Sequence, residues 1–297
     1  MATFNEMVDE VNLHLSGYGM RNDALTHLAA DLSNSSTSVS VDSVEAIGKG
    51  IIEIDDELLW VSNVDRTNSL LTIAPFGRGY LNTTATTHSE NAMVSVNPTF
   101  SRFAIKKAIN DSIRAVSPTL FAVGSTTFTY NTAVNTYTLP DNVQDVLAVS
   151  YQTIGSTKEW APIRAWRIDA MANVSAFNSN NSITLGGYID PGATVQVTYT
   201  CEPDVLESNS DDFSLTTGLS DSCKDVIILG AAYRLLSFVD PGRLNYVTPE
   251  SDVQAGRIPS GSGTNVAKYV YALFQQRLRE EADKLVKKYP VRVHYTN

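Results

Sequence analysis

Side chains able to do chemistry are few and scattered in this sequence. The four histidines, His14, His27, His88 and His294, share no HExxH spacing and none lies near a cysteine, so no metal-ligand set is spelled out. His14 and His27 fall in segments read as short helices, where an isolated imidazole has a structural or surface role. Asp55, Asp56 and Glu57 form an acidic cluster. Such a cluster could bind a hard cation or serve as paired carboxylates. The oxygen-rich spacing of a calcium loop is absent, however, and the flanking Ile54 and Leu58 mark it as a solvated turn between strands. Asp211 and Asp212 read likewise as a solvated linker. Gly77-Arg-Gly79 resembles half of a phosphate-cradling loop, without the Lys-Ser/Thr that would complete it. Trp60, Trp160 and Trp166 could stack on a sugar, although tryptophans near strands more often pack cores or interfaces. Cys201 and Cys223 lack CxxC spacing and read as reduced, small apolar residues. The expectation is a protein with no catalytic, cofactor-binding or metal site.

A chain of 297 residues exceeds one ordinary domain of ~100–200 residues. With 43% hydrophobic and 18% charged residues it can build cores. The net charge of −10 opposes phosphate neutralisation and leaves no broad basic face for holding nucleic acid. A negative wall would nevertheless suit a channel along which DNA slides, because repulsion prevents sticking. Met1–Glu10 carries Glu6, Asp9 and Glu10 and no apolar h-region, so synthesis in the cytoplasm without a secretion signal is expected. Nowhere do ~18 apolar residues run together, so no membrane contact is expected.

The elements that must position these residues follow from periodicity. Phe4, Met7, Val8, Val11 and Leu15 predict an amphipathic helix stopped at Gly17–Gly19, and a second short helix is read over Asn22–Leu32. Residues 1–38 are thus short helices followed by the polar loop Ser33–Ser38. Residues 39–98 read as a small antiparallel β domain or barrel, with strands at Gly50–Ile54, Leu58–Val64, Leu70–Ile73 and Ala92–Val96, a hairpin turn at Asp65–Asn68, and a long polar loop after Phe76. Ile105, Ile109 and Ile113 predict a helix over 101–117. Residues 119–206 return to strands and read as an inserted β-sandwich-like domain. Ser220 is read as the cap of an almost wholly apolar helix over 220–239 that stops at Asp240-Pro-Gly242, and a linker Arg257–Thr264 leads to the longest helix, 265–288. That helix should set Val266, Tyr269, Val270, Leu273, Phe274, Leu278 and Leu285 on its apolar side. The fold class is therefore α+β: a helical bundle from 99–118 and 207–288, the inserted domain, the small N-terminal β domain, and an extended tail over 289–297. Lys284, Lys287, Lys288 and Arg292 suit the C-terminal end of the last helix, and alternating Val291, Val293 and Tyr295 suit a strand added to a partner.

Ile52–Val61, the hairpin, and Arg78-Gly-Tyr-Leu-Asn-Thr-Thr-Ala-Thr-Thr-His88 together resemble a segment of tailed-phage head and neck proteins. There the loop commonly reads Arg-Gly, one or two residues, Gly-Thr, an alanine-rich run and His; here Asn82 stands where that glycine is usual. The order of a helix, a β domain opened by Tyr137–Asp141 and Val146–Tyr151, two long helices and a tail is similar to that of tubular, portal-binding head-to-tail adaptors. This resemblance implies a virion protein of the neck or connector. It would form a ring matching the portal, a dodecamer, with the tail reaching into the portal, a further tail or neck protein below, double-stranded DNA passing through the lumen without specific binding, and no catalysis.

The candidate interface residues are Arg78, Tyr80, Asn82 and His88 in the loop, with Arg292, His294 and Tyr295 in the tail, since neither segment looks able to satisfy itself within a small domain. Three other readings stand beside the adaptor. One is another neck, tail or baseplate protein, another a carbohydrate-binding adhesin using Trp160 and Trp166, and the last a hydrolase built on Asp55, Asp56 or Glu57.

Overall fold

The computed structural model describes residues 2–16, 24–155, 158–173, 175–237 and 262–289. The stops expected at Gly17–Gly19 and Asp240–Gly242, residues 257–261 of the linker expected over Arg257–Thr264, and Arg292, His294 and Tyr295 lie outside the described residues, while 262–264 of that linker are helical instead. The chain is a mixed helix and sheet protein that divides into two compact units. One comprises Phe4–Ser112 with Ile227–Phe274, the other Met1–Thr3, Ile113–Val226 and Gln275–Asn297.

In the first unit the apolar stripe of Phe4, Met7, Val8, Val11 and Leu15 becomes the buried face of α1 (Phe4–Ser16). Strands β1 (Ala24–His27), β2 (Ser38–Ser40), β3 (Gly50–Ile54), β4 (Glu57–Asp65), β5 (Leu70–Ile73) and β6 (Met93–Val96) pair antiparallel in the order β1-β6-β3-β4-β5-β2. Beyond the two outer strands Leu28 bridges Val41, and the Ala29 N–H donates to the Ser40 carbonyl at 3.0 Å. The sheet thereby closes into a barrel around Leu28, Val41, Ile52, Leu59, Leu71 and Val94, which removes its edges. Asp65 accepts from the N–H groups of Thr67 and Asn68, forming the turn expected there.

The helix expected over Asn22–Leu32 is corrected: Ala24–His27 is strand β1, paired residue by residue with β6. Its partner lies some seventy positions away in sequence, at Met93–Val96, so local periodicity could not reveal it.

In the second unit one sheet runs β10 (Trp160–Pro162), β9 (Asp145–Gln152), β13 (Thr194–Cys201), β7 (Ala122–Thr129). The other runs β11 (Trp166–Asp169), β12 (Ser182–Leu185), β8 (Thr136–Thr138). Val149, Val195 and Val197 from the first share one core with Trp166, Ile183 and Leu185 from the second. Asp211 and Asp212 also require correction. Asp211 accepts from the N–H groups of Glu207 and Ser208, and Asp212 caps a helix missed in the sequence, α3 (Phe213–Thr217), by accepting from Leu215 N–H at 3.0 Å. Ser220 starts a single 3-10 turn, Asp221–Cys223, but its hydroxyl bonds Ser222 and not a backbone N–H, so the expected side-chain cap is absent.

Helices α2 (Arg102–Ala115), α4 (Lys224–Ser237) and α5 (Ser262–Lys288) supply the remaining apolar surface. Ile105, Ile109 and Ile113 are fully buried, as their spacing predicts, and α4 buries Val226, Ile227, Ile228, Ala231, Leu235 and Leu236. Tyr269, expected on the apolar side of α5, is instead exposed. Within the second unit Arg277 of α5 donates to Asp225 at 2.7 Å and to Glu281 at 2.9 Å, and Ser222 donates to Glu281 at 2.7 Å. These bonds tie the C-terminal half of α5 to the start of α4.

In the first unit the helices approach closely at Gly230. A Cβ there would lie 2.7 Å from the Ser112 hydroxyl and 3.1 Å from the Phe274 ring. Glycine in a helix interior costs about 1 kcal/mol relative to alanine, so close packing must favour it here. Gly230→Val should lower stability by roughly 1–3 kcal/mol through overpacking. Ser112→Ala should be neutral or stabilising, because the buried hydroxyl has no hydrogen-bond partner among the described residues. Thermal unfolding of both variants checks the pair.

Candidate functional site

Strands β3 and β4 form a hairpin with Asp55 and Asp56 at its tip, Asp55 at φ 52°. The next residue, Glu57, begins β4 and turns inward, so its side chain is 0% exposed. The solvated-turn reading is therefore corrected for Glu57. Glu57 Oε1 accepts from Arg78 Nε at 2.7 Å and Gly79 N–H at 3.0 Å. Its Oε2 accepts from Arg78 Nη2 at 2.9 Å, His88 Nε2 at 2.9 Å and Thr86 N–H at 3.0 Å. The remaining guanidinium hydrogens go to the carbonyls of Ser33, Ser36 and Thr86. His88 Nδ1 lies 2.7 Å from Asp55 Oδ2, so the ring sits between two carboxylates and donates from both nitrogens as imidazolium.

Burial raises the Glu57 carboxyl pKa, but the bonds from Arg78, His88, Thr86 and Gly79 outweigh it and bring it down to about 2. Burial lowers that of His88, yet its hydrogen bonds and charge interactions with Glu57 and Asp55 leave it raised. With every oxygen and nitrogen engaged, the group acts as a clamp that holds the long loop on the barrel. The premise that this loop cannot be satisfied within its own domain thus fails for Arg78 and His88, which are buried or nearly so.

Gly77 and Gly79 serve this packing. A Cβ on Gly77 would lie 2.9 Å from the carbonyls of Ala74 and Trp60, and Gly79 sits at φ +60° with Thr83 O 2.7 Å from where a Cβ would stand. Half of a phosphate loop in sequence is a backbone clearance in space. Asn82 takes φ 68°, the left-handed conformation that a glycine adopts freely and asparagine tolerates. Leu81 at φ 55° and Phe76 at φ 60° are costlier there, and both side chains are exposed. Half-exposed Trp60 of β4 sets its ring 5.2 Å from that of Tyr80. Of the candidate loop residues, Tyr80 and Asn82 therefore reach the surface, whereas Arg78 and His88 support it. Sequence reasoning missed Phe76 and Leu81, for which only adjacency to the Gly-Arg-Gly turn was a signal. Trp160 is exposed but Trp166 is buried, so the pair does not form a shared stacking face.

A second polar group lies at the start of α2. Asp56 pairs with Lys106 at 2.6 Å, Arg102 with Asp9 at 2.7 Å, and buried Glu53 accepts from Phe103 N–H. Burial pushes the Glu53 carboxyl up to about 7 against these helix N–H bonds and the Arg102 charge. Cys201 and Cys223 are free, buried thiols, and burial raises both above their usual range. Among the described residues no group of His, Cys, Asp and Glu is placed to hold a metal ion, and no helix is long and apolar enough to cross a membrane.

Removing Glu57 leaves buried cations unpaired, so Glu57→Ala should cost roughly 3–5 kcal/mol, read as loss of amide protection across the barrel by hydrogen exchange. The pH profile separates the groups. The Glu57 contribution is present above pH 4.5 and fades as pH falls toward about 2. That of Glu53, with its raised pKa, is complete below pH 4.5 and lost by about 7. That of His88 is complete below pH 6.5 and lost as pH rises through its higher folded-state value. Glu53→Gln should flatten the decline between pH 4.5 and about 7, and His88→Gln the decline above 6.5, in urea titrations at stepped pH.

No curated protein matches the chain. The family model described as SU10 adaptor protein matches residues 81–293, more than half of the chain. The matched span begins at exposed Leu81 and contains β6, α2, the whole inserted strand region, α4 and α5, while Glu57 and Arg78 lie before it. The chain belongs to the SU10 adaptor protein family and is a phage structural adaptor protein of the virion.

Proposed function

We propose that this protein is the head-to-tail adaptor of a tailed phage. Copies assemble into a ring, a dodecamer, that binds the portal, receives a further tail or neck protein below, and lets double-stranded DNA pass through the lumen without specific binding. The family match over residues 81–293 carries this reading. On it, α2, α4 and α5 form the bundle of the ring wall and residues 119–206 a sandwich-like domain projecting from it. The protein acts by assembly and not by catalysis, which agrees with the self-satisfied Glu57, His88 and Arg78 and with the chain's net charge of −10 beside a sliding polyanion.

The loop is an interface in this reading. Tyr80, Asn82 and the neighbouring Phe76 and Leu81 meet a partner, Arg78 and His88 hold the loop in shape, and Arg292, His294 and Tyr295 engage the portal. Held left-handed backbone with exposed apolar side chains is what a preorganised contact requires, since the ordering cost is met before binding.

Cryo-electron microscopy of the purified protein mixed with the portal from the same genome tests the proposal, with the protein alone as control. A ring stacked coaxially on the portal is expected; a free monomer, or a ring that ignores the portal, would move the protein to a tail or baseplate position. In the same mixture Phe76→Asp with Leu81→Asp should weaken assembly while leaving thermal unfolding unchanged, and unaltered assembly would remove these two residues from the interface.

A further inference from the structure

The inserted strand region has two unlike flanks. Its sheets run β10-β9-β13-β7 and β11-β12-β8, so each flank is made of one outer strand from either sheet. On one flank Phe128 of β7 stacks on Tyr137 of β8, with ring centroids 4.2 Å apart. On the other, only residues 163–165 separate β10 from β11. The β7–β8 flank is built from Phe121 to Pro140, a stretch without a single charged residue in a chain that is 18% charged. Its strand β7 pairs with β13 on one side and with no described strand on the other. The β10–β11 flank carries Lys158, Glu159, Arg164, Arg167 and Asp169, and β10 is short and contains Pro162, so it is guarded against strand pairing.

Both flanks also carry apolar side chains at one end. The chain enters and leaves at the other end, where Ala122 pairs with Cys201. At the far end Thr129 pairs with Thr194, Trp160 with Gln152 and Trp166 with Leu185. The connections there expose Val134 on the β7–β8 side, Tyr188 between the sheets, and Ile154 and Trp160 on the β10 side. Their backbones are tied down. Asn131 N–H donates to the Tyr137 hydroxyl, which donates to the Asn131 carbonyl, and Val134 N–H reaches the same carbonyl at 3.0 Å. Thr153 and Glu159 exchange bonds across the β9–β10 hairpin, and Gly192 N–H donates to the Tyr130 carbonyl at 2.9 Å. Side chains presented in this way lose little freedom on contact.

We propose that this region packs side by side with the same region of a second copy, Ile154 and Trp160 of one copy meeting Val134 and the uncharged β7–β8 flank of the next. Copies that each carry a net charge of −10 repel one another, and a flank with no charge of its own is where approach is least opposed. The two surfaces differ, so the contact is head-to-tail and repeats from copy to copy until a ring closes. The contact rests on the ring of the adaptor reading, for which it names the lateral surface, and it does not involve the portal.

Photocross-linking of the purified full chain tests this, with benzoylphenylalanine in place of Trp160, and in a control in place of Met171, which is exposed at the opposite end of the same region. Irradiation is expected to join copies from position 160, with the bond mapped by mass spectrometry to residues 121–140 of a second copy, and to join none from position 171. Absence of joined copies from position 160, attachment outside 121–140, or equal yields from the two positions would overturn the proposal. Thr127→Asp with Val134→Asp should lower the yield from position 160 by roughly tenfold or more, because each change buries a charge without a partner, while thermal unfolding stays unchanged; an unaltered yield would also overturn it. A ring seated on the portal without these cross-links would remove this contact and leave the adaptor reading standing, whereas cross-links without portal binding would do the reverse.

Discussion

Taking a carboxylate out of water costs several kcal/mol unless donors surround it, and the N-terminal half of this protein is arranged around one such group. Glu57 is fully buried at the start of a strand, and its oxygens collect donors from Arg78, Gly79, Thr86 and His88. Those donors all belong to the loop between β5 and β6, so satisfying the charge dictates the loop's path. Backbone bonds then carry the constraint outward: the loop accommodates Phe76, Leu81 and Asn82 in left-handed conformations and leaves the first two side chains in solvent. The exposed Phe76 and Leu81 and the donors to the buried Glu57 thus belong to one loop.

The helical segments are governed by close approach at one place and charge at another. At Gly230 the missing side chain lets Ser112 and the Phe274 ring come within contact distance, and steric fit there prevails over helix propensity. Further along α5, Arg277 bridges Asp225 and Glu281, and Lys284 and Ser222 complete the coordination of the nearly buried Glu281. Burial alone would favour a neutral Glu281, but Lys284, Ser222 and Arg277 outweigh it and hold the carboxyl below its usual range. Both devices fix helix position by what a side chain cannot do, either fit or remain unpaired.

Edge chemistry distinguishes the two sheet regions. Closure of the barrel leaves its described strands with neighbours on both sides. Among the described residues no strand pairs with the other side of β7, an uncharged strand whose register with β13 is unbroken.

The sequence by itself determined the elements whose signal is local. The α1 stripe, the Ile105-Ile109-Ile113 repeat, the apolar α4 and the turn at Asp65 are all found where periodicity and turn chemistry put them. The order of elements also pointed to a phage adaptor or neck-type protein, and the family match over residues 81–293 agrees with it at that level. Only the tertiary structure decided what depends on partners distant in the chain. Strand β1 looks helical until β6 pairs with it. Glu57 looks like one of three solvated acids until Arg78, 21 positions on, and His88, 31 positions on, close over it. A residue's type and neighbours set its local backbone preference, whereas the field a buried charge meets is assembled by whichever segments fold against it, and no local pattern records that.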